Sequence, residues 1–328
     1  MELQSDGITD TVKRAPNRIA ARQPSPLLLI VIIAQSILYG AHLTLLPMWS
    51  DEAFTVQTVA EPPARIIEIV RQDIHPPLYF LLAHWWNRLP IGSDPLQRLR
   101  ILSVLFVIVT TVLVERFWLR SAPQRFRQWF LLFWALSPCL LLFGRMARSY
   151  SLQMLLVTIA IWYVLGFARN PTAGKLVALT LSLTALLYTH YLPGVALWFG
   201  ASLLLLLSLQ RRRGIWKWWV LCNGLVAMLY LPWLVTLAGA LQQWERYSVY
   251  SVTGNIWAEQ IVKLFYCFYS FTFGEAIPIW LLPATLLLVI PCLCVLFSGA
   301  GLQREWKWPA LFTAAVAYIG ATGCQLRS

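Results

Sequence analysis

The chain predicts an all-α, polytopic membrane protein of about nine transmembrane helices, on three observations. Hydrophobic residues make up 59% of its 328 residues and charged residues only 12%, where a soluble domain carries roughly 25% charged. The mean hydropathy is +0.63, and apolar runs recur that are long enough for a helix to cross a hydrocarbon core about 30 Å thick. Short segments of period-2 alternation, the mark of a membrane β-barrel, are missing.

In chain order, residues 1–26 are polar with three prolines and predict a disordered cytoplasmic tail. Residues 27–328 form one membrane domain, with spans expected at about 27–46, 98–118, 128–147, 150–168, 175–192, 194–210, 217–240, 278–297 and 308–325. Lys13, Arg14, Arg18 and Arg22 precede the first span and no small-residue cleavage site follows it, so it reads as an uncleaved anchor. Arg116, Arg120, Arg125 and Arg127, then Arg169 and Lys175, then Arg211, Arg212, Arg213 and Lys217, then Arg304 and Lys307 fall on alternate turns. The positive-inside rule therefore puts the N-terminus in the cytoplasm of a multi-pass cell-membrane protein, with Asp51, Glu52, Asp73 and Glu275 outside. The formal charge of +12 belongs to that inner face and to lipid contact, and implies no nucleic-acid partner.

On this topology His42, His75, His84, His190, Arg98, Arg100, Arg145 and Arg148 all lie at or beyond the outer ends of spans. Each has a plainer alternative as an interfacial side chain whose polar head snorkels to water. The 17 tryptophans equally fit interfacial aromatic belts.

The outer loop 47–97 is long for a membrane connection, and such loops are functional or disordered. Ala64–Arg71 sets Ile66, Ile67 and Val70 on one face of a short helix, and Leu78–Leu89, with Trp85 and Trp86, reads as a second one opened by Pro76-Pro77. Both are expected to lie along the membrane surface. Asp51-Glu52 directly follow the first span, either as a solvated loop start or as a base. A carboxylate is ionised near neutral pH, and general-base assistance is worth about 10²–10⁴ in rate. Asp73-Ile74-His75-Pro76-Pro77-Leu78 is more specific. Its prolines fix φ and push His75 into an extended conformation, although the same prolines also suit a helix start.

Together these two segments resemble the protein O-mannosyltransferases and their bacterial relatives, including the lipid A aminoarabinose transferases, of the glycosyltransferase class GT-C. Arg145-Met146-Ala147-Arg148-Ser149-Tyr150 is similar to the family's Ala-Arg-x-Tyr, and Tyr188-Thr189-His190-Tyr191 to its Tyr-x-His-Tyr. The resemblance runs from about residue 30 to 200. It implies an inverting transfer from a polyprenyl-phosphate sugar to a hydroxyl of a lipid, glycan or protein acceptor at the outer face. Asp51 and Glu52 would be the catalytic acids, with Asp51 the general base. Arg148, Arg145, Tyr150 and His190 would hold the donor phosphate, where a fork-shaped guanidinium suits the charge. Asp73, His75, Pro76, Pro77, Tyr79 and Tyr191 would shape the site.

The remaining signals bound the chemistry. No His, Cys and carboxylate set has zinc spacing, although Asp51, Glu52 and a lipid phosphate can share a divalent cation. The six cysteines form no CxxC pair and support no disulfide framework. No Gly-rich phosphate loop is present. Gln242–Gly274 is a second outer segment, either a cover for the site, a contact for lipid phosphate or a solvated loop. Members of the class usually carry more spans and often a soluble C-terminal domain, so the chain is expected to be C-terminally short. Two alternatives stay open: a truncated, non-catalytic membrane subunit, and a lipid flippase or transporter. The latter predicts mid-span charges and broken helices. Pro138, Pro232 and Pro291 interrupt spans, but mid-span charges are scarce.

Overall fold

The computed structural model describes residues 26–43, 47–73, 75–208 and 214–245, without the side chains of 206–208 and 240–245, and every element among these described residues is a helix. The expected tail, the spans at 278–297 and 308–325, and the outer segment beyond residue 245 lie outside the described residues. The helices are α1 (Pro26–Gly40), α2 (Ser50–Ala60), α3 (Pro63–Gln72), α4 (Leu78–Asn87), α5 (Pro95–Leu113), α6 (Gln124–Ala135), α7 (Pro138–Phe143), α8 (Tyr150–Arg169), α9 (Ala173–Leu187), α10 (Tyr191–Ser208) and α11 (Ile215–Glu245), with a π-helical turn at Val114–Trp118 continuing α5.

Among the described residues, three stretches are long and apolar enough to cross a membrane: Pro95–Trp118, Tyr150–Arg169 and Ile215–Gly239. The helices Pro26–Gly40, Ala173–Leu187 and Tyr191–Leu205 are apolar but shorter. Packing centres on α8 and α9. The first lies against α5, α9 and α10, the second against α10 and α11. Leu179, Leu183 and Leu186 of α9 are fully buried against Ala160, Ile161, Val164 and Phe167 of α8. Their spacing of three and four residues is the stripe a packed helix face requires.

Two expected spans differ from the helices found. The first ends at Gly40 rather than near residue 46, because His42 adopts a left-handed backbone, φ 55°. Such a residue cannot continue a right-handed helix. The span at 128–147 is two helices. Pro138 lacks the N–H that would carry α6 onward, and Ser137 Oγ instead accepts from Leu140 N at 3.5 Å to start α7. At the opposite end of the bundle from the outer loop, Glu115 in the π-helical turn pairs with Arg127, both largely buried.

The segment 47–97, expected as an outer loop, is helical over most of its length. The segment at Asp51, which the sequence reads either as a solvated loop start or as the place of a base, is the first turn of α2. Asp51 and Glu52 stand where the helix dipole favours negative charge, and Glu52 Oε2 accepts from Trp49 N at 3.2 Å, tying down the helix entry. In α3, Pro63 occupies the first position, which needs no N–H partner. Ile66 and Val70 are fully buried, but Ile67, expected on the same face, is 41% exposed. A residue one position from Ile66 is rotated about 100° around the helix. These short helices bury their apolar faces against protein: α3 contacts α2, α4 and α11, and α4 contacts α2 and α5.

Candidate active site

Glu52 lies at the centre of the region. Its Oε1 accepts from Arg100 Nε at 2.9 Å and from Ala147 N at 2.8 Å, while Oε2 accepts from Arg100 Nη2 at 2.6 Å as well as from Trp49 N. The side chain is 0% exposed and that of Arg100 only 2%. Arg100 also donates to the carbonyls of Leu43 and Pro47. One buried fork thus joins α2, α5, the end of the α1 segment and the turn between α7 and α8. Burial pushes the Glu52 carboxyl up, but the hydrogen bonds from Arg100, Ala147 and Trp49 outweigh it and hold it below the ordinary carboxylate range.

With four donors on its two oxygens, Glu52 has no lone pair left for a proton or a cation. The sequence expects Glu52 beside Asp51 in a catalytic step; its contacts here are those of a buried anchor. It fixes Asp51 on one side and the Ala147-Arg148 backbone on the other. The expected cation shared by both carboxylates keeps only Asp51 as a partner, and no group of three or more His, Cys, Asp or Glu suited to a metal occurs among the described residues.

Asp51 points the other way, its side chain 53% exposed. Arg148 Nη2 lies 3.5 Å from Asp51 Oδ2, and Nη1 is 3.4 Å from both the Asp51 carbonyl and Thr55 Oγ1. The same Nη2 reaches His75 Nε2 at 3.3 Å. His75 Nδ1 stands 2.7 Å from Asp73 Oδ2 and 3.0 Å from the Asp73 carbonyl. Both of these are acceptors, so Nδ1 carries the proton and Nε2 presents its lone pair to Arg148. A continuous polar line therefore runs Asp51, Arg148, His75, Asp73. Phe54 and Phe80 wall the imidazole, with ring centroids at 5.8 and 6.0 Å.

The fourth motif is adjacent. Leu78 N donates to the Tyr188 carbonyl at 2.9 Å, seating the buried Pro76-Pro77 segment on the end of α9. His190 follows two residues later, with Leu192 N donating to its Nδ1 at 3.3 Å. Tyr79 is buried, and burial pushes its phenol up although the nearby Arg148 opposes this.

Other expected site residues have scaffold contacts. Arg145 Nη2 donates to the Ala41 carbonyl, binding the α7–α8 turn to the end of α1. The Tyr191 hydroxyl accepts from Trp233 Nε1 at 2.9 Å, fastening α10 to α11. Tyr150 opens α8 with its ring edge-on to Phe143 at 5.5 Å. Arg100 and Thr55 were not singled out from the sequence as site residues. Arg100 carried a usable signal, since an arginine inside an apolar helix demands an acidic partner; Thr55 carried none. Comparison with protein-family models, curated proteins and solved structures gives no match.

Proposed function

We propose that this chain is a membrane glycosyltransferase that moves a sugar from a polyprenyl-phosphate donor to an acceptor hydroxyl at the outer face, with inversion, within a bundle of about nine spans whose N-terminus is cytoplasmic. The observation that carries this reading is the approach of Arg148 to both Asp51 and His75. An exposed carboxylate, a guanidinium and a carboxylate-backed imidazole, from segments nearly a hundred positions apart, meet at the end of the bundle that carries the long loop.

The chemistry follows from those groups. The acceptor oxygen bonds to the anomeric carbon as its proton passes to Asp51. The bond from that carbon to the phosphate oxygen breaks, and its electron pair leaves with the lipid phosphate. The phosphate gains a negative charge in this step, and a cation placed there in advance lowers the barrier. Inversion sets hydroxyl and phosphate on opposite sides of the anomeric carbon, so the Asp51–Arg148 contact opens by the width of a sugar ring. Its 3.5 Å length, and the 3.3–3.4 Å lengths of the other side-chain contacts of Arg148, leave little to hold it closed.

The test is incubation of the purified full chain with a panel of polyprenyl-phosphate sugars and simple hydroxyl acceptors. Release of lipid phosphate with an inverted glycoside supports the reading. No turnover of any donor, by a protein that binds the lipid phosphate, supports a non-catalytic membrane subunit instead.

A further inference from the structure

The geometry points to a proton taken up at His75 when the donor phosphate binds, making the Asp73–His75 pair a second, proton-dependent ligand for that phosphate. This rests on the proposed role of Arg148 as the phosphate's guanidinium.

In the structure His75 is fixed in one tautomer, with Nδ1–H on Asp73 and the Nε2 lone pair facing Arg148 at 3.3 Å. A phosphate that draws Arg148 toward itself removes the donor from Nε2 and brings an anionic oxygen to the same place. A lone pair opposite an anion is repulsive. Protonated, Nε2 becomes a charged donor to that oxygen, a stronger bond than a neutral one. The resulting imidazolium is supported from behind by Asp73, 2.7 Å away. Among the described residues, the charged groups around the ring are Asp73 at the end of α3, Arg148 from the α7–α8 turn and, through Arg148, Asp51 of α2. α2 and α4 also contribute the uncharged rings of Phe54 and Phe80. Arg148 is the one cation among them, and its attraction to the phosphate makes room for a second.

Two consequences separate this from a passive wall. Binding takes up one proton, and affinity strengthens as pH falls through the range in which an imidazole titrates, by up to about tenfold per pH unit. The probe is methyl farnesyl phosphate, a phosphodiester that has no titrating proton there. Its binding to the full chain in detergent is measured calorimetrically between pH 5.5 and 8, in buffers of differing ionisation enthalpy. The expected result is uptake of about one proton and tighter binding at the acid end. In His75→Asn both disappear and binding is weaker than wild type at the acid end, and in Asp73→Asn the tightening moves to lower pH. A wild-type profile without proton uptake overturns the proposal, as does an uptake that persists in His75→Asn. Binding that is absent, or indifferent to Arg148→Ala, overturns the phosphate role of Arg148 and this proposal with it. Should His75→Asn fail to fold, the wild-type proton count decides alone.

Discussion

Arg100 grips both carboxylate oxygens of Glu52 at 2.9 and 2.6 Å inside the protein, whereas Arg148 meets Asp51 at 3.5 Å on a half-open face. The two acids are neighbours in sequence but belong to different environments. Helical geometry turns consecutive side chains about 100° apart, so one faces the core and the other the exposed surface. A buried, saturated pair holds the frame, and a longer, looser pair lies at the surface.

Removing the guanidinium isolates a buried carboxylate, which typically costs about 3–5 kcal/mol. Arg100→Leu should therefore lower the thermal unfolding temperature of the purified protein markedly. The double variant Arg100→Leu/Glu52→Leu should lie between Arg100→Leu and wild type, because no charge is stranded. Equal losses in the single and double variants would mean that the pair carries no coupling.

The depressed Glu52 carboxyl fixes the direction of an acid effect. A group whose folded value lies below its unfolded value of 4.5 stabilises above that pH and loses the contribution as pH falls through the folded value. Thermal stability should accordingly fall on acidification below about pH 4.5. Glu52→Gln should start lower at neutral pH and show a shallower acid decline. The check is a pair of unfolding curves from pH 3 to 7.

Arg148 is predicted to act through its shape as well as its charge. Arg148→Lys replaces a two-pronged donor with a point charge and should bind lipid phosphate more weakly. Arg148→Ala should lose donor affinity and turnover together, since the charge on the phosphate grows toward the transition state. Unchanged donor binding in Arg148→Ala would assign that arginine to interfacial anchoring.

Much of this arrangement is written in the sequence, and the unwritten part has identifiable causes. The long helices α8 and α11 follow from apolar length alone, and the break before α7 from Pro138. Helix α2 does not, because Thr55, Val56, Thr58 and Val59 favour extended backbone and its start depends on Glu52 folding back to Trp49 N. The gathering of Asp51, Arg148 and His75 was expected only through resemblance. No local pattern says which arginine meets which acid, and Glu52 finds its partner 48 positions away in Arg100. Composition likewise cannot tell a free acid from a saturated one, so Asp51 and Glu52 look equivalent until their hydrogen bonds are seen.

The outer-face assignment is open to chemical labelling. In a chain freed of its six native cysteines, a cysteine at Ser93 or Gly254 should react with an impermeant thiol reagent applied to intact cells. One at Gly214 should be protected until the membrane is opened. Labelling of the Gly214 position from outside would reverse the topology and remove the proposed site from the outer face.

The central claim is that Asp51 accepts the proton of the attacking hydroxyl, and Asp51→Asn tests it most directly. The substitution keeps the shape of the side chain and leaves the Asp51 carbonyl contact to Arg148 in place. Turnover of the polyprenyl-phosphate sugar is measured beside wild type, with donor binding and thermal unfolding recorded on the same preparations. The account predicts a loss of about 10²-fold or more in turnover with folding and donor binding retained. Full turnover in a folded Asp51→Asn protein would contradict it.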